Sequence, residues 1–336
     1  MGEVELRASS LDPRIESFLL ERFGSGFDVV PLSGDASTRR YFRVRDRGTS
    51  SVLALYPEPF EADELSFVVI HHLLCEWGLP VPEIQALDGP RGVILLEDLG
   101  DLTLQEILRT TEDGEQAALY RVALDQLALL QRASGGAPRH ADCFKIAFDV
   151  EKLSWELHYF EKHFLEGYRG CDLSVDDRTT LAQTFDRLSQ EIAAWPRVLC
   201  HRDFHSRNLM HHRGTLYWID FQDARLGPAV YDAVSLLRDA YVDLPEELVA
   251  EKAAEFRATA VPQEDAATFT RRFELMAVQR TLKALGTFGY MATVRGSQVY
   301  VPYMPRTLAN ARRDLLRHAE LKPLHAVLSR HVEELQ

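Results

Sequence analysis

Cysteine is scarce in this chain: Cys75, Cys143, Cys171 and Cys200 are scattered through 336 residues with no C-x-x-C pair. That pattern argues for reduced thiols in a cytoplasmic protein. Long hydrophobic runs are lacking too, and none approaches the roughly 20 residues of a membrane-spanning helix. The opening stretch, "MGEVELRASS", holds no basic segment followed by an apolar one, so no secretory signal is expected. Positive charge is in deficit: 38 Lys and Arg against 51 Asp and Glu leave a formal charge of −13. A duplex nucleic acid partner needs a basic face and is not expected, whereas a small anionic ligand in a local pocket is compatible with that charge. There is no G-x-S-x-G turn for a nucleophilic serine, no internal repeat and no low-complexity linker.

What is present divides along the chain. "FDVVPLSG" and "YFRVRDRG" read as strands flanking the turn "GDAST", followed by the strand "SSVLALY". "EADELSFVVIHHLLCEWG" sets Phe67, Ile70, Leu74 and Trp77 on one helical face, with Gly78 as its stop. "LPVPEIQAL" and "GVILLEDL" are two further strands around "DGPRG". From Thr103 onward helical periodicity dominates, as in "GEQAALYRVALDQLALLQRAS", "DVEKLSWELHYFEKHFLEGYRG" and "VDDRTTLAQTFDRLSQEIAAW". Two short strand-like pieces, "RVLCH" and "TLYWIDF", interrupt the helices. The expected fold is α+β and bilobal, with a small strand-rich lobe over residues 1–100 and a large helical lobe over residues 101–336.

The two interrupting strands carry the chemistry. Between them lies "HRDFHSRN", in which Asp203 precedes Asn208 by five positions, and Asp220 follows in "WIDFQDA" twelve positions later. Phosphoryl transfer needs an acceptor hydroxyl held in line and cations that offset phosphate charge. Asp203 can orient that hydroxyl or accept its proton. Asn208 offers a hard amide oxygen and Asp220 a carboxylate, both suited to magnesium that bridges nucleotide phosphates. Each piece alone reads equally as a turn or cap, because Asp, Ser and Asn are common there. The pair in order, expected at neighbouring strand ends, points to kinase-type transfer.

"HRDFHSRNLM…WIDFQDARLGPAVYDAVSLLRD" resembles the core of the aminoglycoside phosphotransferase superfamily, whose fold is protein-kinase-like. "GDASTRRYFRV", "LLEDLGD", "QRTLKALGTF" and "YMPRTL" are similar to bacterial N-acetylmuramate/N-acetylglucosamine anomeric kinases, over about Gly34 to Arg306. The resemblance implies that ATP phosphorylates the C1 hydroxyl of the amino sugar during cell-wall recycling, with Asp203 as catalytic base and Asn208 and Asp220 as Mg2+ ligands. It makes residues 199–210 the catalytic loop and 216–224 the metal-binding segment. Backbone groups of Glu97, Asp98 and Leu99 then meet the adenine edge at a hinge near residues 97–100. Asp232 is expected to hold the catalytic loop through hydrogen bonds, and His201 and Arg202 to brace it.

Two features depart from a protein kinase. The glycine-rich loop shrinks to "SGDASTRRYF", where backbone N–H groups of Ala36, Ser37 and Thr38 and two hydroxyls can face phosphate. A polar hairpin tip explains that turn equally well. The strand "SSVLALYPEP" lacks the lysine that contacts nucleotide phosphates, so Arg39 and Arg40 become the candidate cations, and Glu61 and Glu64 lose their lysine partner. On the acceptor side the expected residues are Glu156, His205, Arg280, Lys283 and Arg306, with Arg or Lys meeting the lactyl carboxylate of N-acetylmuramate. Arg280 and Lys283 share a helical face, which is also what a solvated stripe looks like. Trp155, Tyr159 and Phe160 read as core packing. His201, His205, His211 and His212 beside Cys200 lack the further ligands of a zinc site. The competing readings are a kinase of another hydroxylated small molecule, such as an aminoglycoside, choline or homoserine, and a nucleotide-binding pseudokinase module. Oligomeric state is left open.

Overall fold

A computed structural model describes residues 11–32, 39–137 and 141–336. The chain divides into two compact units. One holds the described residues up to Leu102 together with Met210–Gln222, and the other holds Thr103–Leu209 and Asp223–Gln336. The first is strand-rich and the second helical, the α+β division that the periodicities imply.

The strand-rich unit is built on an antiparallel sheet of β1 (Asp28–Leu32), β2 (Arg40–Asp46), β3 (Thr49–Leu55), β4 (Ile84–Asp88) and β5 (Val93–Glu97), ordered β1-β2-β3-β5-β4. Alternation puts Phe42, Val44, Leu53, Leu55, Val93 and Leu95 on one face, where Ile15, Phe18 and Leu19 of helix α1 (Pro13–Phe23) cover them. Proline at the first turn and the Asp12 carboxylate on the Arg14 N–H start that helix. Arg47 and Gly48, at φ 45° and 87°, close the β2–β3 hairpin with the left-handed pair whose twist suits a two-residue turn.

Helix α2 (Ser66–Glu76) buries Phe67, Ile70 and Leu74 as its spacing requires, while Glu61 and Glu64 lie exposed ahead of it rather than within it. A second hairpin, β7 (Leu209–His212) and β8 (Thr215–Trp218), turns at Arg213–Gly214. Although expected with the helices, residues 210–222 group with the strand-rich unit. The His211 N–H donates to the Leu102 carbonyl at 2.7 Å, the Trp218 N–H donates to that of Pro80 at 2.8 Å, and Phe221 stacks on Phe67 with centroids 4.9 Å apart.

The helical unit contains α3 (Leu104–Ile107), α4 (Asp113–Gly135), α5 (Val150–Phe160), α6 (Val175–Ala193), α7 (Tyr231–Leu237), α8 (Glu246–Ala260), α9 (Ala266–Thr293), α10 (Met304–Arg317) and α11 (Lys322–His331). After α5 the backbone loosens into a π-helix over Glu161–Tyr168, which an unbroken helical pattern does not announce. The long α9 runs against α5 and this π-helix at Gly286 and Gly289. A Cβ there would stand 2.8 Å from Phe160 Cα and 2.3 Å from the His163 carbonyl oxygen. Glycine is required at both positions, which gives "ALGTFGY" a packing reason. Strand β6 (Arg197–Cys200) pairs with β9 (Arg225–Pro228), while β7 pairs with β8. The strand ends that carry Asp203 and Asp220 therefore belong to separate two-stranded sheets rather than to neighbouring strands.

All four cysteines are free. Among the described residues no helix is long and apolar enough to cross a membrane.

Candidate active site

The loop after β6 is gripped by backbone hydrogen bonds. Fully buried Asp232, at the start of α7, accepts the His201 N–H at 2.6 Å and the Arg202 N–H at 3.0 Å. Arg280 of α9 donates to the Arg202 carbonyl at 3.1 Å and to the Tyr231 hydroxyl at 2.5 Å. Arg202 is thus held from both sides of its backbone in a left-handed conformation, φ 86°, that costs a bulky residue about 1–3 kcal/mol. Further along, Asp239 accepts the Ser206 and Tyr241 N–H groups at 2.8 and 2.9 Å. Arg207 donates to Gln105 Oε1 at 2.9 Å and to the Tyr303 hydroxyl at 2.8 Å. Burial pushes the Asp232 acid up to about 7, against the two N–H bonds and the charge of Arg280.

This scaffold presents Asp203. Its Oδ1 lies 3.4 Å from Lys283 Nζ and its Oδ2 lies 3.6 Å from Arg202 Nε, while Arg202 also pairs with Asp223 at 2.8 Å. Burial alone would raise the carboxyl, but Lys283, Arg202, Arg280 and His205 together hold it far below the ordinary carboxylate range. Asp203 is consequently ionised at any physiological pH. Asn208 donates a side-chain amide N–H to the Asp203 carbonyl at 2.9 Å. His205 is depressed by burial despite Asp239 and Asp203, and its Nδ1 has no hydrogen-bond partner among the described residues. Asp203, His205, Lys283, Tyr241, Phe288 and Tyr300 line a cavity of about 160 Å³. A cavity of about 150 Å³ is enough for a six-membered ring.

In the strand-rich unit, Asp220 follows β8 at φ +64°, again a left-handed residue that is not glycine. Arg47 and Arg213, the other two such residues among those described, occupy hairpin turns, so among the described residues Arg202 and Asp220 are the two whose strain no hairpin turn explains. Asp220 Oδ1 accepts from Gln222 at 2.8 Å and lies 3.5 Å from Arg39 Nη2. The Arg39 side chain is only 13% exposed and sits 5.8 Å from the ring centres of both Tyr41 and Tyr56. Tyr56 directly follows β3, the strand without a lysine. Arg40 is exposed and paired with Asp12 at 2.6 Å. The Asp98 carboxylate is occupied by Arg43, by Ser50 and by the Gly100 N–H, and the Leu99 carbonyl meets His212 at 3.0 Å. The Glu97 N–H is spent on the Glu83 carbonyl at 2.9 Å. Ser37 and Thr38 lie outside the described residues.

The remaining acceptor-side expectations diverge. Glu156 is 1% exposed and accepts from Gln279 at 2.8 Å, with Lys152 at 3.7 Å. Arg280 is committed to bracing the loop. Arg306 donates to the carbonyl of Ala240, a cavity-lining residue, at 3.4 Å and lies 3.7 Å from Asp243, but is not itself among the described lining residues. Phe160 is buried, but Trp155 is 53% exposed with Lys152 Nζ 4.0 Å over its ring, so it is not core. Asp239, Tyr231 and Gln105 carry bracing contacts that no residue-type reading assigned. Asp239 does stand in the quoted "YDAVSLLRD", where a second acid seven residues after Asp232 was the available signal.

Among the described residues no group of three or more His, Cys, Asp or Glu side chains could hold a metal by itself. Asn208 Oδ1 and the Asp220 carboxylate are hard oxygens, and magnesium is characteristically held by one or two such groups with phosphates and water. Each of the two, by its chemistry, fits a magnesium ion held partly by a nucleotide.

A model of the phosphotransferase enzyme family (APH) matches residues 28–267. The chain belongs to that family. This phosphotransferase is 36% identical over 321 residues to the N-acetylmuramate/N-acetylglucosamine kinase of Neisseria meningitidis serogroup B, covering 92% of this chain and 93% of that protein. It is 33% identical over 326 residues to the protein of the same name from Pseudomonas aeruginosa, covering 94% and 92%. The ADP-bound aminoglycoside phosphotransferase APH(2'')-Ib has the same fold, with TM-score 0.61 at 14% identity, covering 89% of this chain and 98% of that one. The phosphotransferase is thus an enzyme of kinase type, and ATP is the phosphoryl donor that its family implies.

Proposed function

We propose that this phosphotransferase transfers the terminal phosphoryl group of ATP to the anomeric C1 hydroxyl of N-acetylmuramate or N-acetylglucosamine. The observation that carries the reading is an ionised Asp203 opening into a ring-sized cavity, in a chain more than 30% identical to kinases of that name. Tyr241, Phe288 and Tyr300 offer flat apolar faces to a pyranose, and His205 and Thr287 offer polar edges. The alternative of an aminoglycoside fits poorly. Several ammonium groups need several free carboxylates, and among the described residues the cavity is lined by the carboxylates of Asp203 and Asp239, the latter spent on two N–H bonds.

In this reading Asp203 orients the hydroxyl and receives its proton late, since so acidic a group is a weak base until the new ester forms. Asn208 and Asp220 would hold magnesium, which when bound offsets charge on the phosphate oxygens. Glu97 to Leu99 would border the adenine. Glu156, too deep to touch a sugar, positions Gln279, and Arg306 lies on the outer acceptor side. A donor supplied as ATP supports a cytoplasmic reaction. The test is an acceptor panel with Mg-ATP, followed by phosphorus NMR. We expect a product whose phosphorus couples to the anomeric proton for both amino sugars and none for kanamycin, choline or homoserine. ATP left unconsumed with every acceptor would favour a nucleotide-binding module instead.

Arg39 would supply the cation that β3 omits. Loss of a charge-assisted contact costs about 1.5–3 kcal/mol, so Arg39→Ala should raise the KM for ATP by about tenfold or more. Arg40→Ala, which loses an ion pair with Asp12 and a contact over the Phe42 ring, both away from Asp220, should leave it nearly unchanged. Equal KM values for the two variants in steady-state kinetics would remove Arg39 from the nucleotide site.

A further inference from the structure

We propose that Lys283 is a catalytic cation that acts on the transferring phosphoryl group, not a reader of the acceptor's carboxylate. The inference rests on the reading that Asp203 receives the acceptor hydroxyl. Lys283 Nζ stands 3.4 Å from Asp203 Oδ1, and both side chains line the cavity. A hydroxyl held by Asp203 lies within about 3 Å of it. The attacked phosphorus lies about 3–3.5 Å beyond that oxygen. Phosphoryl oxygens brought to a hydroxyl on Asp203 would lie within the span that the flexible lysine stem can cover.

The neighbouring cations are not equally placed. Arg280 is spent on the Arg202 carbonyl and the Tyr231 hydroxyl, and Arg202 is divided between Asp223 at 2.8 Å and Asp203 at 3.6 Å. Asp203 is the sole ion-pair partner of Lys283 among the described residues. An ammonium has three N–H donors, so it can keep Asp203 and gain a phosphoryl oxygen together. Its stem is flexible but its root is fixed. Gly286 and Gly289 seat α9 on Phe160 and His163, and Gln279 is tied to Glu156 at 2.8 Å. An acceptor carboxylate reaching Lys283 would instead crowd a second anion against Asp203, which like-charge repulsion disfavours.

In the step itself the acceptor oxygen bonds to the terminal phosphorus as the bond to the bridging oxygen breaks. The electron pair leaves with ADP, and the hydroxyl proton passes to Asp203 and then to water. Lys283 keeps its proton throughout and contributes only charge and hydrogen bonds.

The test compares Lys283→Met and Lys283→Arg with the wild type on neutral N-acetylglucosamine, on acidic N-acetylmuramate and on water as acceptor in slow ATP hydrolysis. We expect the methionine variant to lose about a hundredfold in kcat on both sugars by the same factor, with each sugar's KM little changed. Hydrolysis should fall in parallel, and arginine should restore part of the loss. A loss confined to N-acetylmuramate and expressed in KM would overturn the proposal, as would an unchanged kcat. If the wild type phosphorylates neither sugar, the acceptor reading fails, while the hydrolysis comparison still decides the role of Lys283. A thermal melt of each variant separates these outcomes from misfolding.

Discussion

Asp203→Asn should fold, bind ATP and turn over about a thousandfold more slowly than the wild type, within the 10²–10⁴ range of a positioned proton acceptor. Asparagine matches the shape but cannot take the hydroxyl proton. It also takes from Lys283 its ion-pair partner among the described residues and leaves Arg202 with Asp223 alone, so the charge of the two cations is less well offset. The carboxyl is held below its ordinary value in the folded state. Its contribution to stability is therefore complete at neutral pH and is lost only as acid falls below about pH 4 toward the folded value. The variant should melt below the wild type at neutral pH, and the gap should narrow in strong acid. Wild-type kcat in the asparagine variant would end the case for Asp203.

The candidate site was legible because its residues are local in the chain. Asp203, Asn208 and Asp220 fall within 18 residues, and their types alone suggest candidate oxygen donors and a candidate proton acceptor. The α+β division was equally readable, since a period of two gives way to 3.6 near Thr103. What depends on tertiary contact was not readable. Arg280 and Lys283 share one helical face by spacing, yet one braces a backbone carbonyl and the other pairs with Asp203. Arg39 and Arg40 are adjacent, yet strand alternation sends one to Asp220 and the other to Asp12. The grouping of the β7–β8 hairpin with the strand-rich unit rests on partners more than a hundred residues away. Trp155 shows the limit of periodicity: its spacing matches a core stripe, and its ring stands in solvent.

Asp232→Ala should damage both stability and turnover, although Asp232 touches no reactant. Two buried N–H groups lose their acceptors, at about 1–3 kcal/mol each, so denaturant unfolding should show a loss of about 2–6 kcal/mol. Arg202 then keeps only the Arg280 bond at its carbonyl to offset its left-handed φ, and relaxing that residue swings Asp203 out of place. A displacement of about 1 Å at the reacting groups costs on the order of a hundredfold in rate. Asp232→Asn keeps one acceptor and should fall between. Its pH signature runs opposite to that of Asp203. Burial lifts the Asp232 acid from near 4 to about 7, so the folded state binds the proton more tightly than the unfolded chain. The stability it contributes is fullest below pH 4 and fades as pH rises through 7. The deficit of Asp232→Asn should therefore shrink on going from pH 4 to pH 7.5, whereas that of Asp203→Asn should hold across the same interval. Parallel unfolding curves for the two variants at both pH values would mean that the carboxylates do the same job, against the division into a bracing acid and a reacting one.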